Sequence, residues 1–121
     1  MTPGFVSFPK QGVRVQVEIL ETPEERAQGL MFRTSLPEYS GALFWMGRQA
    51  DHSFFMKNTR IPLDLLFCDN RGQIVGILTL TTFDESSRTV GRNSSTILEV
   101  NGGWAARHGV QVGDFVTISL A

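Results

Sequence analysis

One cysteine among 121 residues, Cys68, removes two classes of protein at once. It cannot form an internal disulfide, and it cannot build a zinc cluster on thiolates. Set in the run Leu65-Leu66-Phe67-Cys68, it reads as a small buried hydrophobe rather than a nucleophile. No stretch approaches the ~20 apolar residues of a membrane-spanning helix. A surplus of one charge is missing too. Eleven basic and twelve acidic residues are interspersed, for a net charge of -1, with no basic stripe for a phosphate backbone, so nucleic acid is not an expected partner. His52 and His108 have neither the helical spacing of a metal-binding pair nor cysteine companions, so no metal is expected. No serine sits in a Gly-x-Ser-x-Gly elbow and no glycine cluster matches a phosphate loop, so no cofactor is expected either. The opening Met-Thr-Pro-Gly-Phe-Val lacks the character of a secretory leader. The expected compartment is the cytoplasm if this is the natural start, and the periplasm or envelope if a leader has been trimmed.

What is present describes a small β-rich protein. The length suits one domain with one hydrophobic core. Residues 1–12 carry Pro3, Gly4, Pro9 and Gly12 and read as an irregular arm, leaving residues 13–121 as the domain. Val13 to Leu20 alternates apolar and polar side chains, the mark of a half-buried strand. Thr22-Pro23-Glu24-Glu25 predicts a short helix: threonine as N-cap, proline in the first turn, and Glu25 completing a capping box. Further strands are expected at Gly41–Met46, Ser53–Met56, Leu63–Cys68, Gln73–Thr82, Ser95–Val100 and Phe115–Leu120. A turn is expected at Gly47–Asp51, a hairpin turn at Asp69-Asn70-Arg71-Gly72, and a helical turn at Gly102–His108 with Trp104 inward. No strand–helix–strand rhythm is evident. The expected fold is therefore a small antiparallel barrel or curled sheet of six to eight short strands with one capped helix.

Candidate site residues cluster around the segment Phe54 to Asp69. Two apolar stretches there flank the polar loop Lys57-Asn58-Thr59-Arg60, closed by Pro62, and Asp64 follows among leucines. A carboxylate so placed must find partners or shift its ionisation. Lys57 and Asn58 could grip an anionic or polyhydroxylated molecule, or the loop could be a rigid connection in which Asn58 and Thr59 bond nearby backbone and Asp64 accepts loop amides or a cation. Arg33 and Glu99 form a second constellation, each beside apolar residues. An ion pair of Arg33 with Glu99 or Asp64 is expected, with Arg33 free for a substrate carboxylate as the alternative. Asp64 and Glu99 together could flank a glycosidic bond, provided the fold brings them ~5–9 Å apart.

Several blocks share an order with a known family. Gly29-Leu30-Met31-Phe32-Arg33, Gly41-Ala42-Leu43-Phe44, Phe55 to Asp64, Gly72-Gln73-Ile74-Val75, Ile97-Leu98-Glu99-Val100 and Gly109 to Val116 together resemble the family called domain of unknown function 192. The resemblance spans roughly Val13 to Leu120. It implies a small, mostly β domain of bacteria and archaea, often carried behind an export leader, with no established activity. No residue is assigned as catalytic. The reading that fits best is a binding or accessory module of the cell envelope, taking an unidentified small molecule or envelope component, as a monomer or weak homo-oligomer. Arg33, Lys57, Asn58, Thr59, Asp64 and Glu99 would bind that ligand or organise its site. A hydrolase using Asp64 or Glu99 as acid–base, and a protein-interaction module without a small-molecule site, remain the alternatives.

Overall fold

The alternation that marks Val13–Leu20 does what its period requires. Val15, Val17 and Ile19 are buried, while Arg14 and Gln16 face solvent. The structure is a computed structural model that describes every residue except Lys57. Strands run β1 (Thr2–Phe8), β2 (Val13–Leu20), β3 (Ser40–Ala50), β4 (Leu63–Cys68), β5 (Ile74–Leu80), β6 (Ser94–Asn101) and β7 (Thr117–Leu120). Two short helices, α1 (Pro23–Gln28) and α2 (Trp104–His108), complete it. Neither is long and apolar enough to cross a membrane.

The strands form one seven-stranded sheet in the order β5-β4-β6-β3-β2-β1-β7. Gln73, just before β5, bridges Phe115, just before β7, so the two edges meet at one point. The edge strands themselves do not pair. The result is a curled open sheet, not a closed barrel. It is also mixed: β2 and β3 are parallel, from Gln16 opposite Ser40 to Leu20 opposite Phe44, and every other pair is antiparallel. A strand–helix–strand crossover therefore exists here, against expectation. Its helix has only six residues, too few to carry an apolar stripe that a sequence would display.

Three local readings are corrected. The expected arm is strand β1, paired along its whole length with β2. Pro3 lies near the start of that strand, where proline is tolerated, and Gly4 marks a close approach. A Cβ at Gly4 would come within 2.7 Å of both the Ile19 side chain and the Ser119 carbonyl oxygen. The expected turn at Gly47–Asp51 is largely the far end of β3, where a register shift between Trp45 and Ala50 absorbs Gly47 at a φ of 76°. Ser53–Met56 is not a strand: only Phe54 pairs, exchanging amide hydrogen bonds with Arg88 at 2.9 and 2.8 Å.

Other predicted devices are present. The Thr22 hydroxyl accepts the Glu25 amide at 3.1 Å, and the Glu25 carboxylate accepts the Thr22 amide at 3.1 Å. Gly72 turns the β4–β5 hairpin at a φ of 83°. Trp104 is fully buried against Phe8, their rings 5.1 Å apart.

Each face of the sheet has its own core. Inside the curl, Val15, Val17, Leu43, Leu66, Leu98, Val100 and Trp104 pack together. On the outer face Leu30, Ala42, Phe44, Leu65, Phe67 and Ile97 form a second cluster, roofed by the segments between strands. Gly41 shows how closely β3 and β6 approach, because a Cβ there would overlap the Glu99 carbonyl oxygen. Gly41→Ala is expected to destabilise by at least the ~1–3 kcal/mol typical of an overpacked core. A urea midpoint indistinguishable from the parent's would show that the two strands can part without cost.

Candidate functional site

Strand β4 is buried along its whole length, so the carboxylate it carries has to be answered. Asp64 is answered by three donors. Its Oδ1 accepts the Thr79 hydroxyl at 2.7 Å and the Gly103 amide at 2.9 Å, and its Oδ2 accepts the Ala105 amide at 3.0 Å. Gly103 begins α2 without any side chain of its own to cap it, and Asp64 supplies that cap from another strand. Among the described residues the donors come from the start of α2 and from β5, and none from the rest of the 57–60 loop that the sequence suggested.

Glu99 lies on the other side of the sheet. Its cross-strand neighbours are Ala42 on β3 and Leu65 on β4, whereas Asp64 stands opposite Val100. Side chains alternate along a strand, so Asp64 faces the inner cluster and Glu99 the outer one. Two carboxylates on opposite faces cannot flank one glycosidic bond. Glu99 is only 6% exposed. No hydrogen bond or ion pair reaches its carboxyl among the described residues. Burial alone pushes its acid up to about 8, so it is held as a neutral carboxylic acid at pH 7.

Above Glu99 is a cavity of about 320 Å³. This lies near the lower end of the roughly 300–1,000 Å³ usual for small-molecule sites. Ala27 of α1, Leu30, Phe44 and Met46 of β3, and Phe54 and Phe55 supply its apolar walls. The helix leaves this space open because none of its residues is buried. Gly29 ends it at a φ of 49°, with room for a Cβ only 3.0 Å from the Phe44 ring.

Three loops are tied together beside the cavity. The Phe32 amide donates to the Asn58 carbonyl at 2.9 Å, the Phe83 amide to the Thr59 carbonyl at 3.1 Å, and the Met56 amide to the Asp84 carbonyl at 2.7 Å. Among the described residues, Phe32, Asn58 and Phe83 are also the positive-φ non-glycine residues, at 67°, 54° and 59°. Such backbone costs about 1–3 kcal/mol per residue and clusters at functional sites. Phe32 and Phe83 leave their rings largely exposed.

A family model described as "DUF192: Uncharacterized ACR" matches residues 6–118, nearly the whole chain. The chain belongs to the DUF192 family. Among solved structures, this DUF192 chain is similar to a proposed transcription regulator from Sinorhizobium meliloti, at 30% identity and a TM-score of 0.88, covering 96% of this chain and 92% of that one. It is also similar to a protein of unknown function from Novosphingobium aromaticivorans, at 35% identity and a TM-score of 0.85, covering 95% and 83%. No curated protein matches it.

The DUF192 fold distributes the six residues singled out in the sequence over several places. Glu99 and Thr59 line the cavity. Asp64 caps α2 on the far face. Asn58 is exposed, with its carbonyl tying two loops. Arg33 pairs with neither Asp64 nor Glu99; its Nη2 lies 3.3 Å from Glu18 Oε2 at the surface. Lys57 lies outside the described residues. Nothing in the sequence ties the wall residues Ala27, Leu30 and Phe44 to a site, since each is an ordinary apolar residue that only the β2–β3 crossover brings over Glu99.

Proposed function

We propose that this DUF192 chain is a small-molecule binding module whose ligand occupies the cavity above Glu99. The observation that carries the proposal is an acid on a central strand with no partner among the described residues, opening into an apolar cavity. Such a group costs stability in the empty protein, and a ligand that satisfies it recovers that cost. Binding is favoured over hydrolysis because Asp64, the second carboxylate considered, is committed to α2 on the opposite face. The cell-envelope setting belongs to the same proposal and is supported by the export leaders that the family resemblance implies. Fractionation of cells making the full-length gene product checks it.

The site is tested by a thermal-shift screen of sugars, peptidoglycan fragments, nucleotides and amines, repeated on Ala27→Trp. Ala27 is exposed on α1, so tryptophan there fills the cavity mouth without disturbing either core. A hit should weaken at least tenfold in the variant while the unliganded melting temperature stays within a few degrees. Hits that survive Ala27→Trp unchanged would move the site elsewhere.

A further inference from the structure

We infer that the ligand carries an ammonium group on an apolar body, a free aliphatic or aromatic amine that enters head first and sets its charge against Glu99. This rests on the cavity reading above and deepens it. Among the described lining residues, Arg26 and Glu99 are the charged ones; Gln28, Ser53 and Thr59 are polar and uncharged. The Arg26 Nη1 is turned to the carbonyls of Glu21 and Trp45, and no ion pair joins it to Glu99. The sheet neighbours facing Glu99 are Ala42 and Leu65, which do not titrate. One acid therefore stands at the floor with no cation supplied by the walls described.

The walls suit the same class. Phe44 and Phe54 meet edge to face with ring centroids 5.1 Å apart, and half-exposed Phe55 lines the opening. Aromatic faces attract a desolvated cation, and an ammonium held between them and a carboxylate gains from both. A neutral alcohol gains one hydrogen bond and no charge pairing. A carboxylate ligand would have to share a single proton with Glu99.

Proton balance makes the class measurable. The amine enters as an ammonium, Glu99 releases its proton to the buffer, and the complex holds an ion pair. With the free acid held up to about 8, affinity should rise about tenfold per pH unit below that value. It should level off above it, and decline only as the amine loses its own proton near pH ~10. A neutral ligand accepting a hydrogen bond from the acid would show the reverse trend.

The experiment is an NMR titration of the full chain with n-hexylamine, n-hexanol and hexanoate near pH 6, 7 and 8. Hexylamine should move the amides of Glu99 and Phe54, bind about tenfold tighter at pH 7 than at pH 6 and about fivefold tighter again at pH 8, and weaken at least tenfold in Glu99→Gln. Hexanol or hexanoate binding as tightly, with loss in Ala27→Trp, would overturn the ammonium class and leave the cavity reading intact. No movement at Glu99 and Phe54 with any of the three, or with a short peptide carrying a single lysine, would overturn both. That peptide, run alongside, separates sources: binding by the peptide with hexylamine silent would overturn the free-amine form.

Discussion

Glu99→Gln should stabilise this protein near pH 8 and leave it almost unchanged near pH 5. The carboxyl is held up to about 8 when folded and lies near its ordinary value, about 4.5, when unfolded. Between those two values the unfolded chain gives up a proton that the folded chain keeps, so stability falls as pH rises through the window. Glutamine has no proton to lose. The gain of the variant should therefore grow across the window to several kcal/mol near pH 8, on the order of 3–5 kcal/mol. Other acids work in a different range. Glu38 is held below its ordinary value first by the Arg107 guanidinium, Asp84 by the Ser86 hydroxyl, and Asp114 by the Gln111 amide. What these contribute is present at neutral pH and is lost only as pH falls below ordinary carboxylate values. Urea unfolding of parent and variant at the two pH values measures the difference. Equal gaps at both would mean that Glu99 is already ionised in the folded protein and would count against an amine ligand.

Asp64→Ala should be the most damaging single change to the fold. It strips acceptors from the Thr79 hydroxyl and from the Gly103 and Ala105 amides, of which the Ala105 bond is buried. Each buried donor left unsatisfied costs about 1–3 kcal/mol, so a loss of about 3–5 kcal/mol is expected. The urea midpoint should fall with little change in slope, and the emission of Trp104 should shift to the red as α2 frays. Asp64→Asn should fall between, since its amide retains one acceptor and points a donor at other donors. A loss below about 1 kcal/mol would show that α2 holds its own first turn without β4.

Much of this could be read from the chain, and the failures have physical causes. The capping box at Thr22, the turn at Gly72 and the fully buried run Leu63–Cys68 were legible because each depends on neighbours close in sequence. Strand β1 was not, because Pro3 and Gly4 look like breakers until the approach of Ile19 and Ser119 is known. The parallel β2–β3 pairing was hidden by the brevity of its crossover helix. Glu99 stood out as a charge among Ile97, Leu98 and Val100, but its face did not. Whether it shares a side with Asp64 depends on the register of β4 against β6, a long-range choice of one residue that inverts every side chain. Arg33 found Glu18 on β2 rather than a buried acid for the same kind of reason.

Because α1 commits no side chain to either core, its positions outside the Thr22–Glu25 cap and Arg26 are nearly free of the demands of folding. Substitutions at Ala27 or Gln28 should alter which molecules fit beneath it while barely changing how well the protein survives heat or denaturant. Fold and selectivity are thus separable along the chain. A library confined to those positions would explore new ligands from a constant scaffold.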